Sequence, residues 1–188
     1  MEEDEDLTQE QRSTGKTVII NEQVKINEYA GGVFRKLRLA DGISQEEVIK
    51  SLNPEANQKA IASAGESQGK SGSFFFFSHD SKFIIKTMTE GELETFKGMF
   101  EDYHNYLTEE NRNSMLARIY GIFTVYLEDI VPIHLILMKN TLQWVSGTKD
   151  TVESIFDLKG SLHNRVTNNK GIKNTSVLKD QNIQLKRT

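Results

Sequence analysis

Residues 69–86 read Gly69-Lys70-Ser71-Gly72-Ser73-Phe74-Phe75-Phe76-Phe77-Ser78-His79-Asp80-Ser81-Lys82-Phe83-Ile84-Ile85-Lys86. Two short apolar runs, Phe74–Phe77 and Phe83–Ile85, consist of residues that favour strands. The polar residues His79–Ser81 between them have the composition of a turn. This stretch therefore predicts a β-hairpin that is entered through a loop of small residues.

The glycines and the lysine of this stretch are typical of a phosphate site. Gly69 and Gly72 let the backbone approach a ligand with N–H groups free to point at phosphate. Lys86 would add an ammonium from the second strand, and protein-kinase-like folds hold ATP phosphates with such a loop and lysine. An ordinary hairpin with a surface lysine is the alternative. A Walker phosphate loop is disfavoured, because Ala64 stands where that motif needs glycine and no helix follows.

The composition allows one folded core and excludes several classes of protein. The 188 residues are 37% hydrophobic and 27% charged, so at least the middle of the chain is expected to fold. No apolar run reaches the ~18 residues of a membrane-spanning helix, and the acidic start Met1–Asp6 is unlike a targeting segment. The sequence has no cysteine, which excludes disulfides and zinc–thiolate sites and is typical of a cytoplasmic protein.

Charge is distributed unevenly within the net charge of −4. Residues 1–10 contain six acids and no base, whereas residues 159–188 contain one acid, Asp180, against seven basic residues. These are Lys159, Arg165, Lys170, Lys173, Lys179, Lys186 and Arg187. A basic end on an acidic chain favours an anionic partner such as phosphate, a lipid headgroup or nucleic acid, and a solvated basic tail is the alternative.

The start of the chain predicts an extension followed by a folded lobe. Residues 1–23 are predicted to be an acidic, disordered extension in which Val18–Ile20 forms a short strand or a packing arm. The lobe then covers residues 24–188. Its first helix is expected within Tyr29–Leu39, beginning after Gly31-Gly32.

The next helix is predicted from its two ends. Ser44 and Glu47 have the spacing of a capping box, in which the two residues exchange hydrogen bonds at a helix start. Asn53-Pro54 ends this helix, because the residue before proline disfavours helical geometry. Residues 56–68 are small and polar and predict a linker into the glycine loop.

A second capping box, Thr89-Glu90-Gly91-Glu92, begins the longest predicted helix. Apolar residues at three- and four-residue steps predict its buried face, namely Leu93, Phe96, Phe100, Tyr103 and Leu107. Three strands are expected after it: Tyr120–Leu127, the strongly apolar and hence central Ile133–Met138, and a weaker strand within Thr151–Leu158. The order of these elements predicts an α+β fold, an antiparallel sheet with flanking helices.

The last predicted strand ends at Asp157-Leu158-Lys159-Gly160-Ser161. Strand alternation would put Asp157 and Lys159 on one face, where an acid and a base followed by Gly-Ser suit a phosphate or an acidic headgroup. Arg165 adds a planar set of donors that matches phosphate. A salt bridge at the end of a strand, followed by a turn, is the alternative.

Other kinds of site are not indicated. The four histidines show no metal-ligand spacing, so no metal site is expected. There is no nucleophile elbow of the Gly-x-Ser-x-Gly type. Zinc-finger and RNP-type aromatic motifs are also absent, so no nucleic-acid partner is expected.

The segment Phe156-Asp157-Leu158-Lys159-Gly160-Ser161-Leu162, followed by Arg165, resembles the Asp-Leu-Lys-Gly-Ser signature of the phosphatidylinositol phosphate kinases. Stretches that resemble the rest of that family over roughly residues 24–185 are Val33–Arg38 (an early helix on the dimer side), Gly69–Ser73 (the ATP loop), Phe83–Lys86 (the strand of the ATP lysine), Tyr120-Gly121 and Met138–Asn140 (the strand to the adenine hinge) and Val177–Asp180. The resemblance implies the N-terminal lobe of such a kinase.

The resemblance also implies roles for individual residues. ATP would be bound by Gly72, Ser73, Lys86, Met138 and Asn140. The γ-phosphate and the lipid headgroup would lie near Asp157, Lys159 and Arg165. The acid that orients Lys86 would be Glu92 or Glu94.

Catalysis in the resembled family needs residues that these 188 do not include. The family's catalytic Asp-Tyr-Ser-Leu-Leu motif and its metal-binding Ile-Ile-Asp motif are absent from the sequence. No catalytic residue is therefore expected within the chain, and the ligands of the Mg²⁺ that accompanies ATP are expected outside it. Two functions stay open: the ATP-binding lobe of a lipid kinase, and a catalytically silent scaffold or docking subunit.

The expected partner is the anionic surface of a phosphoinositide membrane, at which the protein would be peripheral. Each basic residue near such a surface contributes on the order of 1 kcal/mol. A homodimer or another protein partner through the sheet is a further expectation. The sequence does not indicate which inositol phosphate isomer is the substrate.

Overall fold

The computed structural model describes residues 15–58, 73–110, 114–142, 154–167 and 177–186. They belong to an N-terminal unit within Met1–Thr141 and a C-terminal unit within Leu142–Thr188. None of the helices formed by these residues is both long and apolar enough to cross a membrane.

The N-terminal unit is built on a six-stranded antiparallel sheet. Its strands are β1 (Lys16–Asn21), β2 (Val24–Tyr29), β3 (Phe75–Phe77), β4 (Phe83–Met88), β5 (Ile119–Leu127) and β6 (Ile130–Lys139). Its helices are α1 (Gly31–Ala40), α2 (Gln45–Ser51) and α3 (Glu90–Asn105), the last continued by the π-helical segment Tyr106–Glu110. The strand order is β1-β2-β5-β6-β4-β3, and neighbouring strands are antiparallel throughout. The predicted α+β fold and the interior position of the apolar strand β6 are confirmed.

The predicted hairpin is formed by β3 and β4, with Phe75 opposite Lys86. Residues 69–72, which contain the glycine loop, lie outside the described part of the chain. Strand β4 continues to Met88, so Lys86 lies inside the strand, two residues before its end.

The turn of this hairpin is held by Asp80. Its carboxylate accepts hydrogen bonds from the hydroxyls of Ser51 (2.6 Å) and Ser78 (2.8 Å) and from the amide of Lys82 (3.2 Å). Burial by itself raises the pKa of this carboxyl, but the three hydrogen bonds outweigh it and hold the pKa below the ordinary value. The turn is therefore stabilised by an ionised side chain within the loop.

The main core lies between α3, α1 and one face of the sheet. The predicted capping box begins α3: the Thr89 hydroxyl accepts from the Glu92 amide (3.2 Å), and the Glu92 carboxylate accepts from the Thr89 amide (2.8 Å). All five residues of the predicted apolar stripe are buried in this core, and they pack with Phe34 of α1 and with Ile122 and Ile136 of the sheet.

The opposite face of the sheet carries a second apolar cluster, formed by Val48, Phe83, Tyr120 and Leu137. Ile136 and Leu137 are consecutive residues of β6 and belong to different clusters, as strand alternation requires. The sheet is therefore packed on both faces near β6.

Helix α1 begins at Gly31 and not after Gly32, so that prediction is wrong. Ala30 precedes the helix in the left-handed region, with φ 46°. A Cβ at Gly31 would lie 2.5 Å from the carboxyl carbon of Glu28. Because that carbon is the far end of a flexible side chain, a larger residue at Gly31 would require Glu28 to move; the glycine occupies the first position of the helix.

Two other N-terminal segments differ from their predictions. Strand β1 pairs with β2 within the predicted disordered extension, and its residues Val18–Ile20 form the strand that was one of the two alternatives. Residues 54–58 are helical where a linker was predicted from residue 56 onwards. Asn57 explains this, because its buried side-chain amide donates to the Ser51 carbonyl (2.9 Å) and accepts from the His79 amide (2.8 Å). Residues 1–14 and 59–68 lie outside the described part.

The predicted capping box of α2 is half formed. The Ser44 hydroxyl accepts from the Glu47 amide at 3.1 Å, as expected. The Glu47 carboxylate pairs with the ammonium of Lys82, in the hairpin turn, and the reciprocal bond to Ser44 is not made by it. Glu47 thus links α2 to the hairpin.

The C-terminal unit contains β7 (Ile155–Asp157), β8 (Val177–Lys179) and α4 (Asp180–Lys186). The weak strand predicted within Thr151–Leu158 is confirmed, but it pairs with β8 in a separate two-stranded parallel sheet. The parallel partner was not predicted, because three residues are too few for a periodic signal.

Candidate functional site

Lys86 lies on the face of the sheet that α3 covers. It is opposite Ile136 of the main core, and residues paired across antiparallel strands share a face. Its ammonium lies 3.4 Å from the carboxylate of Glu92 and 6.0 Å from the centre of the Phe75 ring. The side chain of Lys86 is 24% exposed and that of Glu92 is 46% exposed. The pair is therefore open to solvent on one side.

Glu92, and not Glu94, is the acid next to Lys86. The two alternatives are separated by the helix, since residues two apart on a helix do not face each other. Glu94 instead pairs with Lys97 at 2.7 Å. The pKa of Glu92 is lowered, chiefly by the hydrogen bond from the Thr89 amide and further by the charge of Lys86, against an opposing effect of burial. The carboxylate is thus ionised and fixed by the capping box.

The chain enters β3 at the Lys86 end of the hairpin. The Phe74 amide donates to the Thr87 hydroxyl at 2.9 Å, and the Thr87 amide donates to the Phe74 carbonyl at 3.0 Å. Ser73, which is half-buried, therefore lies within the same end of the hairpin as Lys86. Gly72, the other residue expected at the phosphates, lies outside the described residues.

Met138 shares the face of Lys86. It is opposite Ile84, two positions along β4 from Lys86 and hence on the same side of the strand. Two residues of a strand span about 7 Å. Met138 therefore lies on the strand next to that of Lys86, displaced by two residues along the sheet and on the same face.

Asn140 is used by the fold at the opposite end of the hairpin. Its backbone amide donates to the Lys82 carbonyl (2.9 Å) and its side-chain amide donates to the Ser81 carbonyl (2.7 Å). The residue is 5% exposed. These bonds attach the end of β6 to the hairpin turn. The structure thus puts Lys86 and Met138 on one face and Ser73 at the Lys86 end of the hairpin, while Asn140 holds the turn.

In the C-terminal unit, Arg165 connects two carboxylates. Its Nε donates to Asp180 at 2.8 Å, and its terminal nitrogen lies 3.2 Å from the Asp157 carboxylate and also donates to the Asp157 carbonyl. The expected placement of Asp157 and Lys159 on one strand face is wrong, because β7 ends at Asp157. The salt bridge that was the alternative does form, but with Arg165 as the basic partner.

Asp180 is the member of this site that the sequence prediction missed. Its other oxygen accepts hydrogen bonds from the amides of Lys159 (3.0 Å) and Gly160 (2.9 Å). Gly160 has φ 67°, in the region that favours glycine. The hydrogen bond from Arg165 lowers the pKa of Asp180 to about 2, with the two amides assisting against burial. The pKa of Arg165 is raised, first by its hydrogen bond to Asp180.

Metal ligands are not gathered in the described ranges, where no three histidine, aspartate or glutamate side chains come together. The ammonium of Lys159 has no ion-pair partner among the described residues and is exposed. The chemistry offered is therefore that of two cationic side chains, Lys86 and Lys159, one in each unit.

Residues 56–188 match the family profile described as Phosphatidylinositol-4-phosphate 5-Kinase. Among similar proteins, a phosphatidylinositol 4-phosphate 5-kinase of Schizosaccharomyces pombe is 35% identical over 73% of the chain. The phosphatidylinositol 5-phosphate 4-kinase type-2 alpha of Gallus gallus is 32% identical over 73% of the chain, and the 1-phosphatidylinositol 3-phosphate 5-kinase of Mus musculus is 33% identical over 73%. The matched region spans 17%, 31% and 6% of these relatives, respectively.

Proposed function

The chain belongs to the phosphatidylinositol-4-phosphate 5-kinase family, and from this we propose that it is the ATP-binding lobe of a lipid kinase. In a full-length protein that also contains regions corresponding to the unmatched parts of its relatives, it would transfer the γ-phosphate of ATP to a hydroxyl of an inositol ring. The three relatives are named for different phosphoinositide substrates, so the family assignment leaves the isomer open.

The observation that carries this proposal is the position of Lys86. Phosphoryl transfer depends mainly on positioning and on neutralising charge at the phosphates. The 3.4 Å separation from Glu92 is longer than an ordinary charge-assisted hydrogen bond, so the carboxylate orients the ammonium without saturating its donors. An ammonium with free donors beside the entry to β3 fits a polyphosphate.

The remaining roles in the nucleotide site follow from the same geometry. Ser73 would lie over the phosphates with Gly72, and Met138 would contribute an apolar contact to the adenine. The backbone amide and one side-chain N–H of Asn140 bind the hairpin turn, so we propose that Asn140 supports the site through the turn and does not bind the nucleotide. Bound Mg²⁺ would neutralise phosphate charge, and its ligands are proposed to lie in the other parts of the full-length protein.

The C-terminal unit is proposed to face an anionic membrane. Lys159 is exposed and close in sequence to further basic residues, and each lysine near such a surface contributes on the order of 1 kcal/mol. The lipid headgroup would be the anionic partner of Lys159. A peripheral location at a phosphoinositide membrane follows from this role.

The test is nucleotide binding by the full-length protein. Calorimetry with MgATP is expected to give an affinity about 10–100-fold lower for Lys86→Met than for the wild type, the value of one charge-assisted contact. Lys97→Met is the matched control, because it also removes a lysine that pairs with a glutamate of α3. Wild-type affinity in Lys86→Met would refute the role of Lys86, and no ATP binding by the wild type would favour a silent scaffold or docking subunit.

A further inference from the structure

We propose that Asp180 is a positioning residue, which holds residues 157–165 (the signature loop) in the shape that presents the ammonium of Lys159 to a headgroup phosphate. This inference rests on the proposed function. It begins with a group of donors that the chain itself occupies: the amides of Lys159 and Gly160 and the guanidinium of Arg165 all converge on the Asp180 carboxylate.

These donors form the kind of concavity that binds an anion. Two successive amides next to a left-handed glycine point the same way, as in many phosphate sites. Here an internal carboxylate takes the place of the ligand. The guanidinium of Arg165 binds two carboxylates: its Nε contacts Asp180, and one of its terminal nitrogens contacts Asp157. The two loop amides, Nε and one terminal nitrogen of Arg165 are therefore engaged within the chain and shape the loop.

Lys159 is the group that this arrangement leaves available. Its backbone amide is fixed by Asp180 at 3.0 Å, and the residue is exposed. Its side chain has no ion-pair partner in the described part of the C-terminal unit. Fixing the backbone at the base of a flexible lysine reduces the ordering that binding requires, so the anchor acts on affinity through Lys159.

A second anchor makes the loop separable from the rest of the unit. Asn182, which is 3% exposed, accepts hydrogen bonds from the amides of Thr167 (2.9 Å) and Lys179 (3.0 Å). These bonds attach the chain just after the signature loop to β8, and Asp180 takes no part in them. The change Asp180→Ala removes both acceptor oxygens and is therefore expected to release the Lys159–Gly160 segment and to leave the β7–β8 pair in place.

The experiment is a double-mutant cycle in the full-length protein, with flotation on phosphatidylcholine vesicles that contain a phosphatidylinositol phosphate. We expect Lys159→Met to bind about fivefold more weakly, the contribution of one lysine near an anionic surface. Asp180→Ala is expected to lose up to the same factor in the wild-type background and nothing further in the Lys159→Met background. Asp102→Ala, an exposed change of equal charge on α3, is the control.

Hydrogen exchange supplies a measurement that does not depend on lipid binding. Faster exchange at the amides of Lys159 and Gly160 in Asp180→Ala, with unchanged exchange in β8, supports the anchor. Unchanged exchange at those two amides overturns it. An equal loss of vesicle binding with and without Lys159 also overturns it, because Asp180 would then not act through the lysine. If vesicle binding by the wild type does not depend on the phosphoinositide, the proposed function itself is refuted and, with it, the role of Lys159.

Discussion

Replacing Phe100 with alanine is expected to cost about 4 kcal/mol of unfolding free energy. Phe100 is 6% exposed and lies at the centre of the aromatic core, with ring centroids 5.3 Å from Tyr29, 5.3 Å from Phe34 and 5.9 Å from Phe96. An aromatic side chain buries about 150–250 Å², and about 25 cal/mol per Å² converts this to ~4–6 kcal/mol. Measured Phe→Ala losses are about 3–5 kcal/mol, and the expected loss of about 4 kcal/mol is the middle of this measured range.

The assay is urea unfolding followed by circular dichroism. Met99→Ala is the matched control, since Met99 is the neighbouring residue on α3 and is 46% exposed; its effect is expected to stay within about 0.5 kcal/mol. A loss below about 2 kcal/mol for Phe100→Ala, or equal losses for the two variants, would refute the assignment of this ring to the core. The result bears on the candidate site, because α3 carries Glu92, which pairs with Lys86.

Two further predictions concern polar groups. Tyr103→Phe removes a hydroxyl that donates to the Ala117 carbonyl (2.9 Å) and accepts from the Ile119 amide (2.8 Å), so it is expected to cost about 1–3 kcal/mol in urea unfolding; an unchanged midpoint would contradict this. Asp80 has a lowered pKa, so its stabilisation is present above the unfolded value of about 3.9 and is lost as the pH falls through the folded value. The difference in melting temperature between the wild type and Asp80→Asn is therefore expected to shrink between about pH 5 and pH 2, and a constant difference would be the contrary result.

Local patterns predicted most of the N-terminal unit. The capping box at Thr89 and the stripe that contains Phe100 depend on neighbouring turns of one helix, and both are confirmed. The hairpin follows from alternating apolar and polar segments, and it too is confirmed. The start of α1 was missed because glycine disfavours helix interiors but is tolerated at the first helical position, where Gly31 follows the left-handed Ala30.

The candidate site was predicted only in part, for the same reason. The sequence predicts Lys86 as a lysine on a strand after a glycine loop. Its pairing with Glu92, and not with Glu94, depends on the capping box geometry. The anchor formed by Asp180 joins segments that are 15 to 21 residues apart in sequence. No periodicity or short motif predicts such a contact. The one sequence signal is that Asp180 is the only acid among the basic residues of segment 159–188.

The distance in sequence between Arg165 and Asp180 has a consequence for biosynthesis. The two residues are 15 positions apart, and strand β7 finds its parallel partner in β8, just before Asp180. During translation the signature loop leaves the ribosome before the residues that give it shape, and closing this loop carries an entropic cost before any contact repays it. A nascent chain halted before Val177 would contain the whole Asp-Leu-Lys-Gly-Ser signature and yet lack its geometry.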